Sequence, residues 1–415
     1  MIGRVRARLR RGSLSELPTE VMALAAVAFM VAVGFGVVAP AIPLFARHFG
    51  VSRTAASAVI SAFAAARLVG APFTGRLVNR FGERVMLATG IGIVSVSSLL
   101  AGLAGDYWQL LVLRGVGGVG SIMFSVSASS LLIRVTPGHL RGRAQGVFAG
   151  GFLLGSIAGP ALGVVAAWSL RAPFFLYAGT LVVAGTIALV ALRHSELAAR
   201  PTARDSTLGL LTALRNRAYI AALLSNLAED WAVVGARTAM VPLFVVDRLA
   251  LSSSWTYFGF FVLSGVSGAL LLPFGHRADS TGRRPVLILG LLVGAAGLAS
   301  LPLVPNAAGL IFAMALLGVS GAALSVASGA ILGDVVGGRG GTVVATYQMA
   351  GDAGIVAGPV VAGWLADSHG YAATFGVAAA ILVVPVGAVL LAPETRQAGP
   401  TPVLDEQGTR LGRAS

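Results

Sequence analysis

The chain has 415 residues, 56% of them hydrophobic and only 11% charged, and its net charge of +14 is carried by 30 arginines without a single lysine. The lack of cysteine excludes disulfides, thiolate metal sites and iron–sulfur clusters. The lack of lysine excludes a P-loop, and the five scattered histidines show no metal-ligand spacing.

Apolar runs of membrane-spanning length recur from end to end, which predicts a polytopic, all-helical integral membrane protein of the plasma membrane. The arginines fall in short clusters between those runs, so the basicity reads as loops at an anionic membrane surface, with the lipid bilayer and not nucleic acid as partner. No constellation for enzymatic catalysis, metal binding or a cofactor is visible.

Residues 1–20 are basic and lead into a long apolar segment without a small-residue cleavage site, so they read as a retained cytoplasmic tail. Twelve spans follow, at about 21–46, 54–76, 85–105, 108–133, 144–167, 173–192, 218–246, 255–275, 285–304, 307–332, 342–365 and 371–392. They divide into an N-terminal six-helix half (21–192) and a C-terminal six-helix half (218–392), joined by a polar cytoplasmic linker (193–217), with a disordered cytoplasmic tail at 393–415. With both termini inside, 23 arginines lie on the cytoplasmic side, 4 lie outside (Arg47, Arg53, Arg171, Arg248) and 3 lie within spans (Arg67, Arg114, Arg237). That asymmetry satisfies the positive-inside rule.

The halves repeat. Ile42–Phe45 (IPLF) recurs as Val241–Phe244 (VPLF), Gly75 and Gly82 recur as Gly275 and Gly282, and Gly155–Pro160 (GSIAGP) recurs as Gly354–Pro359 (GIVAGP), at offsets of 199, 200 and 199. Parallel six-helix repeats are a transporter architecture with the substrate site between the halves.

The loop after span 2, GRLVNRFGERVML, resembles the G-x-L-x-D-R-x-G-R-R signature of the major facilitator superfamily through Gly75, Leu77, Arg80, Gly82 and Arg84. Asn79 stands where the family has Asp, and Glu83 where it has a basic residue; the second copy keeps Asp279, Gly282, Arg283 and Arg284. In the family the Asp holds a helix end across the interface of the halves, and Asn79 would do so without charge. Span 4 carries LLVLRGVGGVGS, similar to the family's buried-arginine signature, with Arg114 at the arginine. In span 5, Gly155, Gly159, Pro160 and Gly163 match a motif found mainly in proton-coupled exporters, where four-residue glycine spacing makes a flat helix face and proline loosens the helix. The resemblance covers nearly the whole chain. It implies a monomeric twelve-span transporter of the drug:proton antiporter-like group, exchanging a small amphipathic or cationic compound for protons by alternating access. Uptake or export of an anionic metabolite, sugar or siderophore is the alternative within the fold; a non-transporting sensor or scaffold lacks any appended soluble domain to support it.

Charge within spans is costly and marks function. Arg67 lies eight residues before Gly75 and Asp352 ten residues into span 11, so both stand about 12–15 Å from the cytoplasmic boundary. Spans 2 and 11 pack together in the superfamily, which predicts an ion pair between them. Span 7 carries Glu229 and Asp230. On a regular helix Asp230 shares its face with Asn226 and Arg237, a polar stripe that the resemblance places on the central cavity, whereas Glu229 shares its face with Ser225, Val233 and Ala236. Either carboxylate can serve proton coupling or bind a cation.

Overall fold

A computed structural model describes residues 17–137, 140–166, 168–193, 210–336 and 341–395. Most of the expected N-terminal tail, linker and C-terminal tail lies outside the described residues, as does the side chain of Asn79. The first-half helices are α1 (Thr19–Val38), α2 (Ala41–His48), α3 (Arg53–Phe81), α4 (Glu83–Gly102), α5 (Tyr107–Val135), α6 (Arg141–Ala166) and α7 (Ala172–Ala191). After a short α8 (Leu210–Leu214) come α9 (Arg217–Glu229), a π-helical turn (Asp230–Ala236) and α10 (Arg237–Asp247). The remainder are α11 (Ser253–Thr281), α12 (Arg283–Leu303), α13 (Ala307–Val336), α14 (Gly341–Ser368) and α15 (Gly370–Leu391).

Among the described residues, eleven helices are long and apolar enough to cross a membrane. The expected seventh span is not one of them, because residues 217–247 are divided into α9, the π-helical turn and α10, each too short to cross alone. The first expected span is likewise divided, α1 ending at Val38 and α2 starting at Ala41 around Pro40.

Two main hydrophobic cores form. One draws its buried side chains from Leu17 to Leu192, the other from Ala218 to Ala392. Within the first half α1 packs on α6 and α7, and α4 on α5; within the second α12 packs on α13 and α15, and α14 on the π-helical turn. Between the halves α3 packs on α14 and α6 on α11.

The chain turns sharply from α3 to α4 at Gly82 (φ +81°) and from α11 to α12 at Gly282 (φ +110°), where an L side chain would be strained. Each turn is braced by an ion pair to the far end of the next helix but one. Glu83, fully buried, accepts from Arg134 Nη1 at 2.7 and 2.9 Å and from Ser130 Oγ at 3.0 Å. In the second half Arg283 Nε lies 3.0 Å from Asp334 Oδ2. Glu83 and Arg283 are 200 residues apart, as are Arg134 and Asp334, so the two halves build the same joint with the charges exchanged.

Candidate functional site

The π-helical turn sets the geometry of the intramembrane charges. A π turn bonds i to i+5 and absorbs one more residue than an α turn; here the Arg237 N–H bonds to Ala232 O. The extra residue can be located by the packing of glycines. In the first half a Cβ on Gly155 would meet Phe29 O and Val33 N; in the second a Cβ on Gly354 would meet Leu227 O and Trp231 N, an offset of 198 along the receiving helix. Beyond the turn, Gly36 lies against Pro160 and Gly235 against Pro359, an offset of 199. α1 is regular throughout. The π-helical turn is thus a one-residue insertion between Trp231 and Gly235 relative to its counterpart in the first half.

That insertion corrects the expected polar stripe. With one residue absorbed, Arg237 is effectively six helical steps from Asp230, about 120° around the axis, and seven from Glu229, about 20°. Arg237 consequently stands over Glu229, about 10 Å along the helix, and the two are electrostatic neighbours. Asp230 instead has Asp352 and Arg67 as its charged neighbours.

Arg67 and Asp352 join the halves. Arg67 Nε donates to Asp352 Oδ1 at 3.1 Å, and its Nη1 donates to Ser121 Oγ at 2.7 Å. The Asp352 side chain is 9% exposed and that of Arg67 22%, so the pair is largely shielded from water. Asn226 Nδ2 donates to Tyr347 O at 3.0 Å. Gly351 leaves the space that the Asp230 and Asn226 side chains occupy, since a Cβ there would overlap Asp230 Oδ2 and crowd Asn226 Nδ2. Arg67, Asp230, Asp352 and Asn226 therefore gather where α3, α9, the π-helical turn and α14 meet.

The other two intramembrane arginines are buried against aromatic rings. The Arg114 guanidinium lies 4.5 Å from the Phe63 ring centre, and its Nε and Nη1 have no hydrogen-bond partner among the described residues. Arg237 lies 5.1 Å from the Phe260 ring centre with Nε unpartnered. Desolvated cation–π contacts of this kind are worth about 2 kcal/mol.

The glycine motif of α6 is a packing surface. Gly155 and Gly159 let α6 approach the backbone of α1 at Phe29 and Val33, and Pro160 lies against Gly36. Gly163 faces the Tyr257 ring of α11, across the interface of the halves. In the loop motif, Arg84 Nη1 donates to Arg193 O at 2.8 Å, Arg80 stacks on Phe81 with its guanidinium 5.4 Å from the ring centre, and a Cβ on Gly75 would meet open space. Asp279 lies 3.4 Å from Arg283 Nη1. The Arg283 and Arg284 N–H groups donate to Glu394 at 2.8 and 3.1 Å, a cap on α12 that lies beyond the reach of motif reading. Among the described residues no group of side chains could hold a metal ion.

The sequence profile of the Major Facilitator Superfamily matches residues 24–272 and 254–412. The chain belongs to the major facilitator superfamily. Among its relatives within the superfamily is the multidrug resistance protein MdtG of Proteus mirabilis (strain HI4320), 28% identical over 372 residues that cover 85% of this chain and 90% of the relative. The MdtG protein of Klebsiella pneumoniae (strain 342) is 25% identical over 367 residues, covering 86% and 89%. Solved structures of the same fold include a bacterial homologue of the human lysosomal transporter Spinster in an inward-facing, unoccupied conformation (TM-score 0.75, 14% identity, 92% of this chain and 99% of that one). The peptide transporter POT aligns with a TM-score of 0.76 at 14% identity over 91% of this chain and 95% of its own. The protein is thus a multi-pass membrane transporter.

Proposed function

We propose that the chain is a monomeric proton-coupled exporter of small amphipathic or cationic compounds. It works by alternating access between two six-helix halves, with both termini in the cytoplasm and residues 217–247 as a twelfth span. The observation that carries this reading is the meeting of Asp230 with the Arg67–Asp352 pair, which sets an intramembrane carboxylate beside an ion pair shared between the halves. Protonation of such a carboxylate removes a charge from the junction that must part during rocking, which links proton binding to conformation. Neither Glu229 nor Asp230 forms an ion pair among the described residues, so both remain available to a proton or a cationic cargo. The multidrug resistance relatives support export of drug-like compounds.

A panel of compounds added to inside-out vesicles holding a proton gradient tests the reading. Hydrophobic cations are expected to dissipate the gradient only where the chain is present. A gradient indifferent to cations but dissipated by carboxylates supports the second reading, an anionic cargo, which Arg114 favours because its Nε and Nη1 have no hydrogen-bond partner among the described residues.

A further inference from the structure

We propose that Arg53, Asp247, Asp367 and Tyr371 form a latch that holds the arginine-poor end of the bundle closed, and that its release opens the cavity to that side. Arg53 opens α3 and belongs to the first half; Asp247 ends α10, Asp367 lies near the end of α14 and Tyr371 lies in the first turn of α15, all in the second half.

Arg53 Nη2 and Nε donate to Asp247 Oδ2 at 2.9 and 3.1 Å, and Nε also lies 3.0 Å from Tyr371 Oη. Tyr371 Oη donates to the same Asp247 oxygen at 2.8 Å, and the guanidinium stands 5.0 Å from the tyrosine ring centre. Asp367 lies 3.7 Å from Arg53 Nη1. It also accepts from the backbone N–H of Arg53 at 3.2 Å, the N–H of Thr54 at 2.9 Å and Thr54 Oγ1 at 2.7 Å. The positive end of α3 is therefore capped by a carboxylate from the opposite half. Directly beneath, α14 packs so closely that a Cβ on Gly363 would meet Arg53 O, Thr54 Cα and Ser57 Oγ, and Ser57 is fully buried.

Two features make this a latch and not a permanent joint. The donors sit on one half and the carboxylates on the other, so parting the halves breaks every link to Arg53 and Thr54 together. The ion-paired side chains are also 25–29% exposed, so water can replace each bond as it breaks. Asp247 keeps Tyr371 after release, because both belong to the second half. The Arg67–Asp352 pair is deeper and less exposed on its acidic side, and is the separate, inner contact.

The test rests on the transporter reading only in assuming that the halves part, and it needs no cargo. The chain has no cysteine, so Ser57→Cys introduces a single reporter beneath the latch. Its reaction with a membrane-impermeant maleimide is followed in right-side-out and in inside-out vesicles. Adding Arg53→Gln is expected to raise labelling about five- to tenfold from one side of the membrane only. Tyr371→Phe, which removes one hydroxyl, is expected to give a smaller rise from the same side, and Arg53→Lys a rate between the wild type and Arg53→Gln. Equal labelling with and without Arg53, or a rise from both sides alike, overturns the proposal; the second pattern means general loosening of the bundle.

Discussion

Glu83→Gln should destabilise the first half strongly, and an exchange of charges should restore it. Glu83 is fully buried and takes two hydrogen bonds from one nitrogen of Arg134, whose side chain is 17% exposed. Neutralising the carboxylate removes the charge that Arg134 faces across a largely dry joint, and a broken buried pair costs about 3–5 kcal/mol. Arg134→Gln, which takes a counter-charge from the wholly buried carboxylate, should also be destabilising. The second half holds the joint with opposite polarity through Arg283 and Asp334, so the backbone accepts either orientation. The double variant Glu83→Arg, Arg134→Asp is therefore expected to recover most of the loss. Thermal unfolding of purified protein in detergent, followed by the monodisperse fraction on size-exclusion chromatography, reads both effects. If the single variants melt with the wild type, or the exchange is no better than the singles combined, the reasoning from pseudo-symmetry is wrong.

Further outcomes follow from the site. Asp352→Asn should strand Arg67 between the halves, cost about 3–5 kcal/mol and abolish transport, read by melting and efflux together. Gly351→Ala should place a methyl on Asp230 Oδ2 and reduce efflux about tenfold or more at near-normal expression. Deleting Val234 should be tolerated, because α1 packs in the same way without the extra residue; deleting Leu292 from the regular α12 should turn every later residue of that helix by about 100° and abolish insertion, as measured by membrane yield.

Much of the architecture is legible in the sequence because the bilayer simplifies the reading. Apolar length marks spans, and shared offsets of 199–200 mark duplication. Counting 1.5 Å per residue brings Arg67 and Asp352 to one depth, and the 3.1 Å contact joins them. The π-helical turn was the feature that residue counting could not supply. A regular 3.6-residue period puts Arg237 with Asp230, and nothing in Trp231–Gly235 announces a wider turn. Its trace lies in which carbonyl each glycine of α14 approaches, and that is a property of packing. The Glu83–Arg134 joint was hidden differently: its two members are 51 residues apart, and only the exchanged charges at the 200-residue offset mark them as a pair. The same offset comparison, applied to every charged residue, brings it out.

Glu229 and Asp230, where α9 meets the π-helical turn, are the carboxylates proposed to couple proton movement to cargo. The most direct measurement compares two modes of transport in vesicles reconstituted with Glu229→Gln, Asp230→Asn protein. Exchange of labelled for unlabelled cargo needs only binding and rocking, while accumulation driven by a proton gradient needs coupling as well. The variant is expected to retain exchange and to lose gradient-driven accumulation. Accumulation at the wild-type level would contradict it.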